Sequence, residues 1–216
     1  YLAANRYQLG DRKPYLYKTT DFGKTWTTIV KGIPENDFLR TIREDPTRRG
    51  LLYAGTEHGI FVSFNDGASW QSLRLNLPDT PVHGIVVEAR DLVIGTHGRG
   101  FYVLDNIGVL RQATPALTSE ALHVFTTFDP MRGRDRNVTL DYYLGKAADE
   151  VTIEFLDGAG TVLRKFTGTS QPAAPADPAA DDGGFGFRPP KVTVAKGMNR
   201  FTWDMRYEGS TVFPNL

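Results

Sequence analysis

Two short polar segments hold side chains that could bind a ligand. Residues 56–59 read Thr-Glu-His-Gly and residues 96–99 read Thr-His-Gly-Arg, and a longer polar segment spans residues 5–14. Carboxylate, imidazole and guanidinium groups that meet at one rim suit a sugar, a carboxylate or a peptide end. The alternative is that these are ordinary loop residues that shape turns. The candidate ligand-binding residues are Arg6, Tyr7, Glu57, His58, His97 and Arg99.

These segments contain no recognisable catalytic set. Glycoside hydrolysis requires two carboxyl groups about 5 to 10 Å apart across the scissile bond. Glu57 and Asp11 are a possible pair of carboxyl groups, but the sequence gives no distance between them. No Ser-His-Asp order, phosphate-binding glycine loop or metal-ligand spacing stands out, because the histidines are scattered. We therefore predict no catalytic residue, no metal site and no cofactor in this chain.

Composition limits the fold class and the partners. The 216 residues are 40% hydrophobic and 12% aromatic, with 22 Gly and 13 Pro, a mixture of aromatic and turn-forming residues that predicts an all-β fold. Lys plus Arg and Asp plus Glu are equal at 25 each, so no net field attracts nucleic acid or an anionic membrane. The absence of Cys excludes disulfides and thiolate sites. No apolar run reaches the roughly 20 residues of a membrane span.

A repeated octet indicates how the candidate loops are positioned. Residues 19–26 read TTDFGKTW and residues 63–70 read SFNDGASW, 44 residues later. Each octet is typical of a tight turn between antiparallel strands, with a glycine for positive φ and an Asp or Asn that accepts hydrogen bonds from backbone amides. The tryptophans are large enough to fill the space between neighbouring sheets. The structural octet residues are Thr19, Asp21, Gly23, Trp26, Ser63, Asn65, Gly67 and Trp70.

The octets belong to a longer repeat. The run from residue 51 aligns with the run from residue 91 at an offset of 40, which pairs Gly55 with Gly95 and Phe61 with Phe101. Four short strands in about 40 residues match one blade of a β-propeller. Residues 1–112 therefore predict a partial propeller of about two and a half blades. Such a part-ring cannot close, so we expect its partners to be further blades of a parent chain, or a homodimer that joins two part-rings.

The octet pattern Ser/Thr-x-Asp-x-Gly-x-x-Trp resembles the Asp box, or BNR repeat, of sialidase-like and sortilin-like propellers. Thr19, Asp21, Gly23 and Trp26 match it fully, while the second copy carries Asn65 in place of the Asp. A third copy, VLDNIG, keeps only the Asp of the pattern, Asp105, and lacks its Gly and Trp. The resemblance implies a propeller whose boxes lie away from the ligand face. The opposite turns, which hold the candidate binding residues, would then form the rim.

The second half of the chain has a different organisation. Strand-like segments resume after residue 119, and residues 151–166 read as a hairpin around Asp157-Gly158. Residues 113–216 therefore predict a β-sandwich module, with a disordered loop near 168–190 and a C-terminal end that is expected to be incomplete. This module resembles the immunoglobulin-like or fibronectin-like modules attached to bacterial secreted glycoside hydrolases.

Two kinds of function are consistent with these patterns. The first is an extracytoplasmic binding or interaction module that recognises a glycan or a polypeptide. The alternative is part of a glycoside hydrolase, sialidase-like or glucanase-like, whose catalytic residues lie mainly on other blades. The resemblance implies a secreted, periplasmic or cell-envelope location. What the chain contains favours the first class, and the resemblance keeps the second open for the parent protein.

Overall fold

The computed structural model describes residues 1–129, 137–170 and 191–206. The described residues are nearly all β, with 44% in strands and 7% in helices, so the predicted all-β fold class is confirmed. The chain forms two compact units, one made by residues 1–112 and the other by the chain from residue 113 onwards.

The first unit contains three antiparallel sheets, and strands that are consecutive in the chain pair with each other. The first sheet has three strands, β1 (Leu2–Arg6), β2 (Asp11–Lys18) and β3 (Thr27–Thr28). The second sheet has four, β4 (Leu39–Glu44), β5 (Leu52–Thr56), β6 (Ile60–Ser63) and β7 (Gln71–Ser72). The third sheet has three, β8 (Val82–Val87), β9 (Leu92–Thr96) and β10 (Phe101–Leu104). A 3₁₀ turn, Tyr7–Leu9, joins β1 to β2, and helix α1, Gly108–Gln112, follows β10.

The second sheet lies between the other two. Side chains alternate between the two faces of a strand, and β5 and β6 are buried throughout their length, so both faces of this sheet are covered. Towards the first sheet it presents Leu52, Ala54 and Phe61. Towards the third sheet it presents Tyr53, Ile60 and Val62. Two hydrophobic clusters therefore join the three sheets into consecutive layers.

The two octets form turns that join β2 to β3 and β6 to β7. Gly23 and Gly67 have φ of 89° and 85°, the left-handed region that favours glycine. Trp70 is 4% exposed and packs in the cluster between the first and second sheets, as predicted. The same prediction is wrong for Trp26, which is 45% exposed. The reason is that none of the described sheets covers the outer face of the first sheet.

The alignment at an offset of 40 fails after the glycines. Gly55 pairs with Ile60, whereas Gly95 pairs with Phe101, because the connection between β9 and β10 is one residue longer than that between β5 and β6. Phe101 therefore corresponds to Ile60 and not to Phe61. A one-residue slip moves a side chain to the other face of a strand. Phe101 therefore lies on the face that holds Ile60 in the second sheet. The third sheet covers that face at Ile60, whereas no described sheet covers it at Phe101, which is 82% exposed.

The second unit packs a three-stranded sheet against a hairpin. The sheet has the order β11-β12-β15, and the hairpin consists of β13 and β14. Large apolar residues from both elements share one core, which gives a sandwich-like arrangement. The strands are β11 (Leu122–Val124), β12 (Val138–Leu144), β13 (Glu150–Leu156), β14 (Val162–Thr169) and β15 (Gly197–Trp203). A second 3₁₀ turn, Pro115–Ser119, precedes them.

The loop predicted near 168–190 begins later than expected. Gly168 and Thr169 belong to β14, where they pair with Val151 and Glu150. The sequence signal of the strand ends at Phe166, but the pairing with β13 extends it. Residues 171–190 and 207–216 lie outside the described part of the chain, and with them most of this loop and the C-terminal end.

Candidate functional site

Arg40 is the centre of the most organised polar cluster in the first unit. The register of β4 shifts between Leu39 and Thr41, so Arg40 occupies a β-bulge, a feature that re-aims a side chain. Its guanidinium donates from Nε and Nη2 to Oε2 of Glu57, at 3.0 and 2.7 Å. Burial of Arg40 is the largest single influence on its pKa and acts to lower it, but the hydrogen bonds and charges of Glu57 and Tyr7 together outweigh burial and raise the pKa. The guanidinium is therefore a permanent cation.

Two aromatic rings lie against this cation. Tyr7 and Phe38 are stacked, with ring centroids 4.9 Å apart and an interplanar angle of 12°. The guanidinium carbon of Arg40 lies 4.6 Å from the centroid of Tyr7 and 4.7 Å from that of Phe38, within the range of a cation–π interaction. Phe38 is buried, whereas Tyr7 is exposed. Tyr7 therefore presents an aromatic surface to solvent beside the ion pair.

A pair of histidines occupies the corresponding place in the third sheet. His83 lies in a register shift of β8 between Val82 and Gly84, as Arg40 does in β4. His97 corresponds to Glu57, because its backbone N–H donates to Pro81 as that of Glu57 donates to Phe38. The two imidazoles are stacked with centroids 5.3 Å apart.

The two pairs lie close enough to interact electrostatically. Burial lowers the pKa of His83, and the charges of Arg40 and His97 lower it further, while Glu57 acts in the opposite direction. His83 is therefore more often neutral at pH 7 than an ordinary histidine. We call this set of five residues the rim site: Tyr7, Arg40, Glu57, His83 and His97.

A buried carboxylate holds the loop that carries Glu57. Asp37 is 3% exposed; its Oδ2 accepts from the Thr56 hydroxyl at 2.9 Å and its Oδ1 accepts from the His58 backbone N–H at 3.1 Å. Burial raises the pKa of Asp37, although the hydrogen bond from Thr56 opposes this shift. Asp37 thus holds the Thr56 side chain and the His58 backbone, on either side of Glu57, and so positions the Glu57 carboxylate for Arg40.

The structure brings three of the six sequence candidates together, while the other three have different partners or none. Tyr7 and Glu57 meet at Arg40, and His97 lies beside them through His83. Arg6 lies 3.8 Å from Asp11, and Nδ1 of His58 lies 3.0 Å from Asp79. Arg99 is exposed and makes no ion pair or hydrogen bond with any residue of the described chain.

Three members of the cluster were missed by the sequence analysis. Phe38, Arg40 and His83 lie before or within β4 and β8, whereas the sequence candidates come from the turns after β1, β5 and β9. A usable signal was present. Arg40 lies 17 residues before Glu57, and His83 lies 14 residues before His97. Equivalent bulges in β4 and β8 place each of these side chains beside the polar turn of its own sheet.

Neither carboxylate of the one pair considered for hydrolysis is placed as a proton donor. Asp11 accepts a hydrogen bond from Tyr15 at 2.5 Å, which together with the Lys13 amide lowers the pKa of the carboxyl. A general acid requires the opposite shift. Glu57 is held by Arg40. Within residues 1–129, 137–170 and 191–206, no group of three or more His, Asp and Glu is arranged to hold a metal ion.

Two comparisons with known proteins gave no match. No family model matches the sequence, and no curated protein matches it either. In the part of the chain that the structure describes, no helix has the length and apolar character that crossing a membrane requires.

Proposed function

We propose that the rim site binds a glycan and that this chain is part of a binding or interaction module. The observation that carries the proposal is the Arg40–Glu57 ion pair, stacked under the exposed ring of Tyr7 and flanked by two imidazoles. Sugar hydroxyl groups both donate and accept hydrogen bonds, and a sugar ring has apolar C–H faces. A planar cation, a carboxylate and an aromatic surface in one place offer a partner for each.

The pairing of charges favours a glycan over a carboxylate or a peptide end. At the rim site a ligand carboxylate would need an unpaired cation, but Arg40, the arginine of that site, already interacts with Glu57, and Arg6 lies near Asp11. The pKa of His83 is lowered, so this imidazole adds little positive charge at neutral pH. The site is thus close to neutral and rich in donors and acceptors. Recognition of a polypeptide through its side-chain hydroxyl or amide groups is the second candidate.

The broader setting is also a proposal. Three stacked sheets with two octet turns support a partial propeller of the Asp-box type, in which further blades of a parent chain complete the ring. By that resemblance the parent is secreted, periplasmic or attached to the cell envelope. The alternative of a glycoside hydrolase is favoured by no observation here, because the carboxylates considered for it are engaged by Tyr15 and Arg40.

Binding to a panel of oligosaccharides, measured by calorimetry and by NMR shifts, tests this function. For a glycan that binds the wild-type chain, the Glu57→Gln substitution should weaken binding about tenfold to a hundredfold. The reason is that hydrogen bonds to charged groups contribute about 1.5–3 kcal/mol. Tyr7→Ala should weaken it by a similar factor through lost stacking. Arg12→Gln, an exposed change on β2 outside the site, is the matched control and should bind normally.

Two results would contradict the proposal. One is unchanged glycan binding in both Glu57→Gln and Tyr7→Ala, which would place the ligand elsewhere. The other is hydrolysis of aryl glycosides that disappears in Glu57→Gln, which would make the site catalytic and not a binding site.

A further inference from the structure

Two histidines of the rim site have no carboxylate partner. The imidazoles of His83 and His97 are exposed and stacked, with centroids 5.3 Å apart. Among the residues that the structure describes, none forms an ion pair with either ring. Nδ1 of His58, by contrast, lies 3.0 Å from Asp79. Histidine changes its charge between pH 5 and 8, so a proton taken up by the rim pair creates a positive charge without a local counter-ion.

The charged groups around the two imidazoles do not supply that counter-ion. Burial lowers the pKa of His83, and the charges of Arg40 on β4 and of His97 on the turn after β9 lower it further. Glu57, on the turn after β5, acts in the opposite direction, but its carboxylate is held by Arg40. Arg99 follows His97 by two residues and is exposed. A proton on either imidazole therefore gives the site a net positive charge.

An anionic group on a ligand can provide the missing partner. A protonated imidazole donates from both ring nitrogens, and hydrogen bonds between charged groups are roughly twice as strong as neutral ones. With centroids 5.3 Å apart, the rings of His83 and His97 lie close enough for one carboxylate or sulfate group to contact both. Such a group also offsets the repulsion between the two rings when they are charged.

We propose that acidification changes the ligand class of the rim site, so that His83 and His97 then bind the carboxylate or sulfate group of an anionic glycan. This inference rests on the proposed function, since Arg40, Glu57 and Tyr7 contact the sugar as described above. At neutral pH the site takes uncharged glycans. His83 and His97 are thus the residues that determine which class is bound.

The sign of the pH dependence follows from linkage. A ligand anion beside an imidazole favours its charged form. A ligand that raises the pKa of one histidine by one unit binds the protonated site about tenfold more tightly than the neutral site. The affinity for an anionic glycan therefore rises as pH falls, and its binding takes up protons. An uncharged glycan has no comparable gain.

Calorimetry of the whole chain at about pH 7.5 and about pH 5.5, which bracket the titration of histidine, tests this inference. The probes are a neutral oligosaccharide, the same oligosaccharide oxidised to its uronate, and its sulfate ester. Binding of the uronate or of the sulfate ester should become about tenfold tighter at the lower pH, with proton uptake that appears as a dependence on buffer ionisation heat. Binding of the neutral probe should change little.

Three histidine variants assign the effect. His83→Gln and His97→Gln should each reduce the gain at low pH while they still bind the neutral probe, which also shows that they are folded. His58→Gln is the matched control, because it removes an exposed histidine that already has a carboxylate partner, Asp79, and it should keep the full gain. NMR titration of the ring protons should show a higher midpoint for the rim pair when the uronate is present, and no change for His58.

Several outcomes would overturn the inference. One is equal affinity for each anionic probe at both pH values, and another is a gain that survives in both His83→Gln and His97→Gln. Loss of the gain in His58→Gln alone would assign it to the pair with Asp79. Neutral-probe binding without any gain would refute this inference and leave the proposed function intact, whereas a gain without neutral-probe binding would refute only the neutral-glycan function.

Discussion

The two octet turns have the same internal hydrogen bonds and different surroundings. In the first octet the Thr19 hydroxyl donates to Asp21 at 2.8 Å and accepts from the Gly23 amide at 2.8 Å. In the second, the Ser63 hydroxyl donates to Asn65 at 3.0 Å and accepts from the Gly67 amide at 2.9 Å. In both copies, the Oδ1 atom of Asp21 or Asn65 accepts from the backbone amide four residues later. The turn is thus a local structure that an Asp or an Asn can build equally.

The tryptophans at the ends of these turns differ. The indole N–H of Trp70 donates to the backbone oxygen of Ile29, just after β3, at 2.7 Å. The Trp70 ring belongs to the buried cluster between the first and second sheets. The indole N–H of Trp26 donates to Gly23 within its own turn, at 3.1 Å, and the ring is half exposed. The shared octet pattern therefore fixes the turn but not the burial of its last residue, which depends on a neighbouring sheet.

The largest predicted difference between the two octets is the effect of removing the tryptophan. Trp70→Ala should lower the free energy of unfolding of the first unit by about 3–5 kcal/mol, because it leaves a cavity and an unpaired Ile29 carbonyl. Trp26→Ala should cost less than about 1 kcal/mol, as expected of an exposed site. Denaturant unfolding of both variants at low protein concentration measures the difference. Equal costs would show that the two turns pack alike in solution.

A smaller difference is expected at the turn glycines. A Cβ at Gly67 would lie 2.5 Å from Cδ1 of Ile29, whereas at Gly23 the nearest atom, in Trp26, is 3.6 Å away. Both Ala substitutions carry the left-handed strain of about 1–2 kcal/mol. Gly67→Ala should cost about 1 kcal/mol more than Gly23→Ala, the low end for overpacking, because the Ile29 side chain can move. Thermal and denaturant unfolding of the pair test this, and a larger cost at Gly23 would refute it.

The smallest predicted difference concerns pH. Hydrogen bonds from Thr25 and then Thr19 lower the pKa of Asp21 to about 2. Since the folded pKa lies below the unfolded value of about 3.9, the carboxylate contributes stability above pH 4, and this is lost as pH falls towards 2. Asp21→Asn, which copies Asn65, should remove that part of the acid dependence.

NMR titration of the Asp21 carboxyl and acid unfolding of wild type and Asp21→Asn measure this effect. Asn65→Ala, which removes the acceptor from the second octet without altering a titratable group, is a control and should leave the Asp21 titration unchanged. A midpoint near 4 for Asp21 in the folded chain would contradict the prediction.

The rim site shows where sequence analysis succeeded and where it stopped. Turn position alone led to Glu57, His97 and Tyr7, which the fold places in one cluster. The same reasoning included His58, whose side chain turns to Asp79 although its backbone amide is held by Asp37. It missed Arg40 because a bulge has no strong signature in a single sequence.

What the sequence determines by itself is local. Alternating apolar residues, glycines that take positive φ and short side-chain acceptors specify strands and tight turns within a few residues, and they set the all-β class. The tertiary structure decides which face of each strand is covered and which distant side chains meet. Trp70 is buried and Trp26 is not, and Arg40 reaches Glu57, because these outcomes depend on the register of strands and on neighbouring sheets far away in the chain.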